Sequence, residues 1–328
     1  MNKSLPHKLK YSFLNVFTGS DLSERKMPLM VAESRNDGPV VWLTGCIHGD
    51  EVAGMVVIQE IFKRLQKEPL LKGSIHALPL VNPFGFEMAS RKISLTEEDL
   101  NRAFPGEKKG SLARRVADKI FNLIVNTKPA IVLDLHNDWI SSIPYTLLDP
   151  RKIFPNSEVF EKTKIFAEKI GFPMVIDSND PKDVAESLTT LSGSLVHYGI
   201  PSITLELGEP NIVNEKNVAD GVRAVWRVLA ELGMVREMNE TLNTVFSNEL
   251  HGKLLDISAG ASCTVMGIIR FLVRPGSVVK KDQPIARIYN AFGKLRETLV
   301  SPGDGIVLSY TDYAVTYPGS YVIAYGLK

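Results

Sequence analysis

Four short apolar runs, Val40 to Thr44, Ser74 to Val81, Ala130 to Leu135 and Ser202 to Leu207, alternate with segments whose apolar residues recur at helical spacing. Continuous apolar runs suit strands buried on both faces, and the segments between them suit crossover helices, so the pattern predicts an α/β fold. The helical sets are Val52, Met55, Val56, Phe62 and Leu65, then Leu112, Val116, Ile120 and Leu123. A third, Val218, Val222, Val225, Trp226 and Leu229, is closed by Gly233. All three stripes are expected to face the core.

Two of the apolar runs lead directly into side chains that bind metals. His48-Gly49-Asp50-Glu51 follows the first, and Asp134-Leu135-His136 ends the third. Two neutral imidazoles and a carboxylate are the ligand set of a catalytic zinc that keeps one position for water. With His48 in the loop leaving its strand and Glu51 in the first turn of the next helix, the two side chains lie on one side of the chain. Gly45 and Gly49 suit a tight strand-to-helix loop. His136 would emerge at the carboxyl end of its strand, the edge where open α/β sheets bind ligands. Asp134 is a candidate to fix the His136 tautomer from behind. Other divalent ions also suit this ligand set. His76 is expected inside a strand, His197 near a helix end, and His7 and His251 in surface segments.

A hydrolytic zinc site also needs a proton carrier and groups that hold a developing oxyanion. Ile203-Thr204-Leu205-Glu206 is an apolar strand ending in a carboxylate at the same edge as His136. Burying Glu206 without a task would cost several kcal/mol, which makes it the candidate general base. Glu209, past Gly208, is expected to be solvated. Cationic groups come from Arg91 and from Asp99-Leu100-Asn101-Arg102, in a loop region bounded by Pro and Gly; guanidinium forks suit carboxylates and oxyanions.

Composition narrows the class of function. A chain of 328 residues, 44% hydrophobic, with a net charge of +1 buries a large core and offers no electrostatic footprint for nucleic acid or an anionic membrane. No run of about 18 apolar residues could span a bilayer, and the N-terminus lacks a signal-peptide core; a cytoplasmic protein acting on small molecules is expected. Two cysteines, Cys46 and Cys263, are too few for a disulfide framework or a thiolate zinc site, and Cys46 is expected to be a buried small hydrophobe.

Beyond about Leu250 the texture changes to short β-branched runs punctuated by Arg274-Pro275-Gly276-Ser277, Asn290-Ala291-Phe292-Gly293 and Ser301-Pro302-Gly303-Asp304-Gly305. This predicts two domains, a catalytic one over 1–240 and a small all-β one over 241–328, with the boundary in the polar stretch from Arg236 to Asn248.

Five motifs, in order, resemble the succinylglutamate desuccinylase and aspartoacylase family, a branch of the zinc-carboxypeptidase fold. They are Gly45-x-x-His48-Gly49-Asp50-Glu51, Asn82-Pro83-x-Gly85 with Arg91, Asp99-Leu100-Asn101-Arg102-x-Phe104-Pro105-Gly106, Asp134-Leu135-His136, and Thr204-x-Glu206-x-Gly208. The resemblance spans roughly residues 35 to 235. It implies a mixed sheet flanked by helices with a smaller C-terminal β domain, and one zinc held by His48, Glu51 and His136. It further implies that Glu206 activates water and later protonates the leaving amine, that Arg91 polarises the scissile carbonyl, and that Asn101 and Arg102 bind the substrate carboxylate. The expected reaction removes an acyl group from an N-acyl amino acid or a related small amide.

Aspartoacylases resemble one another in an arginine some ten residues before the glutamate, which recognises a second carboxylate. Here that stretch, Leu191 to Tyr198, has none, so the acyl group is left open between neutral and acidic. The C-terminal texture resembles half of a biotinyl or lipoyl hammerhead with Lys294 in its hairpin, without the neighbours that modifying enzymes read, and the domain is expected to restrict access to the site. Tyr310, Tyr313 and Tyr317 are expected in packing or surface roles. Two other functions stay open: carboxypeptidase-like cleavage of a short peptide, and non-catalytic binding of a small molecule. Assembly into a homo-oligomer is open as well.

Overall fold

The computed structural model describes residues 7–238, 240–243, 250, 252–260 and 262–328. The chain begins with two long strands, β1 (His7–Thr18) and β2 (Glu24–Ser34), paired antiparallel. Then follow β3 (Val40–Gly45), α1 (Ala53–Leu65), β4 (Ser74–Leu78), α2 (Pro83–Glu87), α3 (Leu112–Val125) and β5 (Ile131–His136). Next come β6 (Ser141–Ser142), β7 (Pro144–Leu148), α4 (Ser157–Ile170), β8 (Met174–Ile176), α5 (Pro181–Ser187), α6 (Leu191–His197), β9 (Ser202–Leu207) and α7 (Glu215–Glu231).

The remaining strands are β10 (Leu254–Ser258), β11 (Gly267–Phe271), β12 (Val278–Val279), β13 (Pro284–Tyr289), β14 (Leu295–Val300), β15 (Gly305–Tyr310), β16 (Val315–Thr316) and β17 (Ile323–Leu327). One sheet runs β1-β2-β4-β3-β5-β9-β7-β8-β10-β17-β15-β12, with β6 added on β15. A second, four-stranded sheet runs β14-β13-β11-β16. The fold is thus the expected mixed α/β sheet with an antiparallel sheet near its C-terminus.

The four strands read from apolar runs are β3, β4, β5 and β9, and they form the centre of the large sheet. β1, β2, β7 and β8 were not among them. In β1 and β2 exposed and buried residues mix with little continuous apolar character; β8 is three residues long, too short to register as a period. Among the described residues, no helix is long and apolar enough to cross a membrane.

Alternation along the strands sorts the sheet into two faces. Val41 and Leu43 of β3, Ile131, Leu133 and Leu135 of β5, and Ile203, Leu205 and Leu207 of β9 pack in one core with α1, α4 and α7. Trp42 and Val132 turn to the other face and pack with α3 and α6. The pleat has a period of two, so Thr44, Asp134, His136, Thr204 and Glu206 share that second face, at the carboxyl ends of their strands. Register aligns them: Thr44 pairs with Asp134, Asp134 with Thr204, and His136 with Glu206. After β3 the chain goes first to β4 on one side and later to β5 on the other, which opens the crevice where such sheets bind ligands.

The expected boundary from Arg236 to Asn248 falls partly outside the described residues, as does His251. His7 is not a surface residue: it starts β1 buried, and its Nδ1 accepts a hydrogen bond from the Leu70 amide at 3.2 Å. Near the C-terminus, Tyr310 is buried and stacks on Phe271 with centroids 3.9 Å apart, whereas Tyr313 and Tyr317 are exposed. Lys294 lies between β13 and β14.

Candidate metal and hydrolytic site

The loop leaving β3 carries both His48 and Glu51. Cys46 sits at φ +55, and the chain turns so sharply that a Cβ on Gly49 would lie 1.9 Å from the Gly85 carbonyl carbon. Only glycine fits there. Gly49 also donates its amide to the Ser90 carbonyl at 3.0 Å, which joins this loop to the segment carrying Arg91. Helix α1 starts at Ala53 with Val52 as its cap, so Glu51 stands just ahead of the helix instead of in its first turn. Cys46 is fully buried, and burial pushes its thiol up to about 12; it behaves as the expected small hydrophobe.

Glu51 is the centre of the cluster. Its Oε1 lies 2.6 Å from His48 Nδ1 and its Oε2 lies 2.8 Å from His136 Nδ1. The Asn137 amide donates to Oε2 at 3.0 Å. All three side chains are buried. Burial alone would push the Glu51 carboxyl up, but the two imidazoles outweigh it and hold the group well below the usual carboxylate range.

Each imidazole is backed by an aspartate. Asp134 Oδ2 accepts from His136 Nε2 at 2.9 Å, while Asp134 Oδ1 accepts from the Thr44 hydroxyl at 2.6 Å. Asp99 Oδ1 lies 3.3 Å from His48 Nε2. With a metal ion beside Glu51, a proton held on His136 Nε2 by Asp134 would leave the Nδ1 lone pair free to bind it, and Asp99 stands on the Nε2 side of His48 in the same sense. Burial lowers the His136 imidazole, and the Asp134 and Glu51 carboxylates more than reverse this, so its proton affinity ends well above the ordinary histidine value.

These donors fit a metal ion. His48, Glu51 and His136 each offer a ligand atom, and the three atoms lie within 4.8 Å of one another, a cluster made of two imidazoles and a carboxylate. That set matches a three-ligand zinc site. Asp99 was not singled out from the sequence for this contact; the signal available was an acid heading the segment Asp99 to Arg102, and it also receives Arg91 Nε at 3.1 Å.

Glu206 stands across β5 from the cluster, and its buried Oε2 has no hydrogen-bond partner. Burial pushes its carboxyl well above the usual range; the nearby His136 opposes this and Glu51 adds to it. Arg91 Nη1 approaches His48 Nδ1 at 3.3 Å and Glu51 Oε1 at 3.5 Å. Asn101 Oδ1 accepts from the Leu191 amide at 2.9 Å, anchoring the start of α6. Arg102 reaches the Asn101 carbonyl at 2.8 Å and pairs with Glu186. Glu209 is not simply solvated: Asn214 and Asn217 donate to its two carboxylate oxygens at 2.7 and 3.0 Å.

All seven sequence-derived site residues, His48, Glu51, Arg91, Asn101, Arg102, His136 and Glu206, line one cavity of about 280 Å³. The same cavity is lined by Asp149, Asp177, Asp183 and Glu186, which sequence reading did not single out. The stretch Leu191 to Tyr198, noted for lacking an arginine, forms α6, and its Ser192 hydroxyl donates to Asp149 Oδ2 at 2.6 Å.

Residues 37–232 match the family model for the succinylglutamate desuccinylase/aspartoacylase catalytic domain. The chain belongs to this family. Among characterised members of similar sequence, the N-alpha-acetyl-L-2,4-diaminobutyric acid deacetylase of Halomonas elongata is 26% identical over 266 residues, covering 80% of this chain and 74% of that one. The crystal structure of a succinylglutamate desuccinylase/aspartoacylase from Rhodobacter sphaeroides superposes with a TM-score of 0.78 at 22% identity, covering 98% of this chain and 95% of that one. A metallo-carboxypeptidase from Burkholderia cenocepacia has the related fold, with a TM-score of 0.53 and 18% identity over 70% of this chain and 66% of its own. The fold shared with the Rhodobacter structure extends over nearly the whole chain, the C-terminal strands included.

Proposed function

We propose that this protein is a zinc-dependent amidohydrolase that removes an acyl group from an N-acyl amino acid or a similar small amide. The observation that carries the reading is Glu206: a half-buried carboxylate whose Oε2 is buried and unpartnered, lining the same cavity as a three-donor metal cluster. A chain that only bound a small molecule would have no use for an ionisable group held at that cost. The name of the Halomonas relative, a deacetylase of an Nα-acetyl amino acid, supports an acetyl group on the α-nitrogen.

His48, Glu51 and His136 would hold one zinc, with Asp99 and Asp134 setting their tautomers. When bound, zinc supplies a Lewis acid that acidifies water and polarises a carbonyl oxygen. Glu206 takes the proton from the attacking water and returns it to the leaving nitrogen; its raised proton affinity suits the second half of that task. Arg91, whose guanidinium lies beside His48 and Glu51, stabilises negative charge growing on the amide oxygen. Arg102 and Asn101 together bind and orient the substrate's carboxylate. Collapse of the tetrahedral carbon gives a carboxylic acid and a free amine.

Residues 241–328 act, in this reading, as a wall that limits substrates to small molecules. Support comes from the segment after His136: Ser141 and Ser142 pair with Tyr310 and Ser309, and the Ile140 amide donates to Asp312 at 2.6 Å. The test is free-amine release from N-acetyl, N-succinyl and N-formyl amino acids beside dipeptides, with zinc-loaded and chelated enzyme in parallel. Chelator-sensitive hydrolysis of N-acyl amino acids is expected. Preference for dipeptides would replace this reading with a peptidase, and silence across the panel with zinc bound would leave a binding role.

A further inference from the structure

The reaction cavity has a second, oppositely charged end. β7 runs antiparallel to β9, with Tyr145 level with Glu206 and Leu147 level with Thr204. Asp149, the first residue beyond β7, therefore lies on the same face, four residues along the sheet from Glu206. At about 3.3 Å per residue this is roughly 13 Å between backbones, and both side chains reach into the gap. β8 runs parallel to β7 with Leu148 level with Ile176, and the Asp177 amide donates to the Leu148 carbonyl at 2.8 Å. Asp177 thus sits beside Asp149 at the matching position of the next strand.

These two carboxylates lack a cation. Asp149 is only 8% exposed and takes one hydrogen bond on Oδ2, from Ser192; Oδ1 accepts none. Asp177 takes its hydrogen bonds from the Ser178 amide and the Ser187 side chain. Among the described residues, no lysine or arginine forms an ion pair with either. The cavity's guanidinium groups are engaged elsewhere, Arg102 with Glu186 and Arg91 with Asp99 and Glu51. A buried carboxylate such as Asp149 is ordinarily paired or satisfied by several donors, and the like charge of the half-buried Asp177 beside it makes the arrangement worse. A structural role for Asp149, tying α6 to β7 through Ser192, explains one of its oxygens and leaves the other without a hydrogen bond in a residue that lines the cavity.

We propose that Asp149 and Asp177 form a subsite for a positively charged nitrogen, so that the preferred substrate is an N-acyl amino acid whose side chain ends in an ammonium or guanidinium group. This rests on the hydrolase reading above. An organic cation fits better than a divalent metal, because among the described residues only His48, Glu51 and His136 bring three ligand atoms close enough to share an ion. Burial raises the Asp149 carboxyl to about 7, with Asp177 adding to it, and an incoming ammonium would relieve both effects. The acidic end also supplies selectivity of a kind that the apolar surface of Leu147 cannot.

The test compares kcat/KM of the zinc-loaded enzyme on the Nα-acetyl derivatives of 2,4-diaminobutyrate, ornithine and lysine with those of norvaline and norleucine, their uncharged counterparts. At least one basic substrate should be preferred tenfold or more, and Asp149→Asn and Asp177→Asn should each lower that ratio at least tenfold. Calorimetric binding of the free basic amino acids against norleucine gives a readout independent of turnover. If basic and neutral amides are hydrolysed equally, or the ratio is unmoved in both variants, the subsite is wrong while the hydrolase stands. If nothing is hydrolysed but basic amino acids still bind more tightly, and less so in the variants, the hydrolase reading fails and the subsite survives. Should Asp149→Asn not fold, Asp177→Asn decides.

Discussion

His136 and Glu206 are register partners on the adjacent parallel strands β5 and β9, so the spacing between an imidazole and a carboxylate is set by the backbone ladder itself. Parallel strands in register hold neighbouring Cα atoms about 5 Å apart, and both residues point to the same face. The proposed metal ligand His136 and the proton carrier Glu206 are therefore fixed by the central sheet, whereas His48, Glu51, Arg91, Asn101 and Arg102 come from loops and a short turn.

The first prediction concerns Glu206. Glu206→Gln keeps the shape and removes the proton carrier, so kcat on the best N-acyl substrate should fall about 10²- to 10⁴-fold, the usual worth of general acid-base catalysis. Zinc content, measured by elemental analysis after dialysis, should stay at one per chain. A Gln variant within threefold of the wild type would show that the proton goes elsewhere.

Asp134 offers a test of the support behind His136. In Asp134→Asn the amide can turn its NH₂ toward His136 Nε2, which favours the tautomer with the proton on Nδ1, where the metal should bind. Zinc affinity is expected to drop about 10- to 100-fold, as for other residues that orient a metal-binding histidine. Competition with a chelator of known affinity measures this, and an unchanged dissociation constant would assign Asp134 only to holding Thr44.

Gly49 reports on the backbone that brings the pieces together. A Cβ there would overlap the Gly85 carbonyl carbon at 1.9 Å and the Phe86 nitrogen at 2.1 Å, and neither can move without shifting α2 and the loop to Arg91. Gly49→Ala should cost at least 1–3 kcal/mol, the range for overpacking, and should weaken zinc binding at the same time. Thermal unfolding with and without zinc would show both; a protein as stable and as tightly zinc-binding as the wild type would mean the loop is softer than its packing implies.

How much of this site was visible in the sequence depends on what kind of signal each residue leaves. His48, Glu51, His136 and Glu206 follow apolar runs, and a polar residue at the end of a buried strand stands out because its burial has a cost. The central strands were legible for the same reason. β1 and β2 were not, since β1 is the sheet's edge and β2 its neighbour, and their partly exposed residues blur any period. Asp149 and Asp177 follow the short strands β7 and β8, and it is the pairing of those strands, a contact between segments far apart in sequence, that puts two ordinary aspartates side by side. Asp99 could be seen in a motif, but its contact with His48 depends on how a long loop folds back over β3.

Asp149 also ties stability to pH. Burial pushes its carboxyl up to about 7, against the hydrogen bond from Ser192 and with help from Asp177. Near pH 4, about the ordinary value for an aspartate, the folded and unfolded chains both hold the proton to a large extent and the group costs little. As pH rises toward 7 the unfolded chain ionises freely while the folded one resists, so the folded state binds more protons and its stability falls with rising pH. Above 7 the cost is complete. Asp149→Asn keeps an acceptor for Ser192 and removes the charge, so at pH 8 it should be more stable than the wild type by an amount on the order of 1–3 kcal/mol and unfold at a higher temperature, with the difference shrinking toward pH 4. Scanning calorimetry of both proteins across this range measures it, and the comparison cancels other titrating groups. If Asp149 binds a substrate cation, free ornithine should stabilise the wild type more at pH 8 than at pH 5 and should narrow its gap to the variant; a gap that is independent of pH would mean that Asp149 is already neutralised by its surroundings.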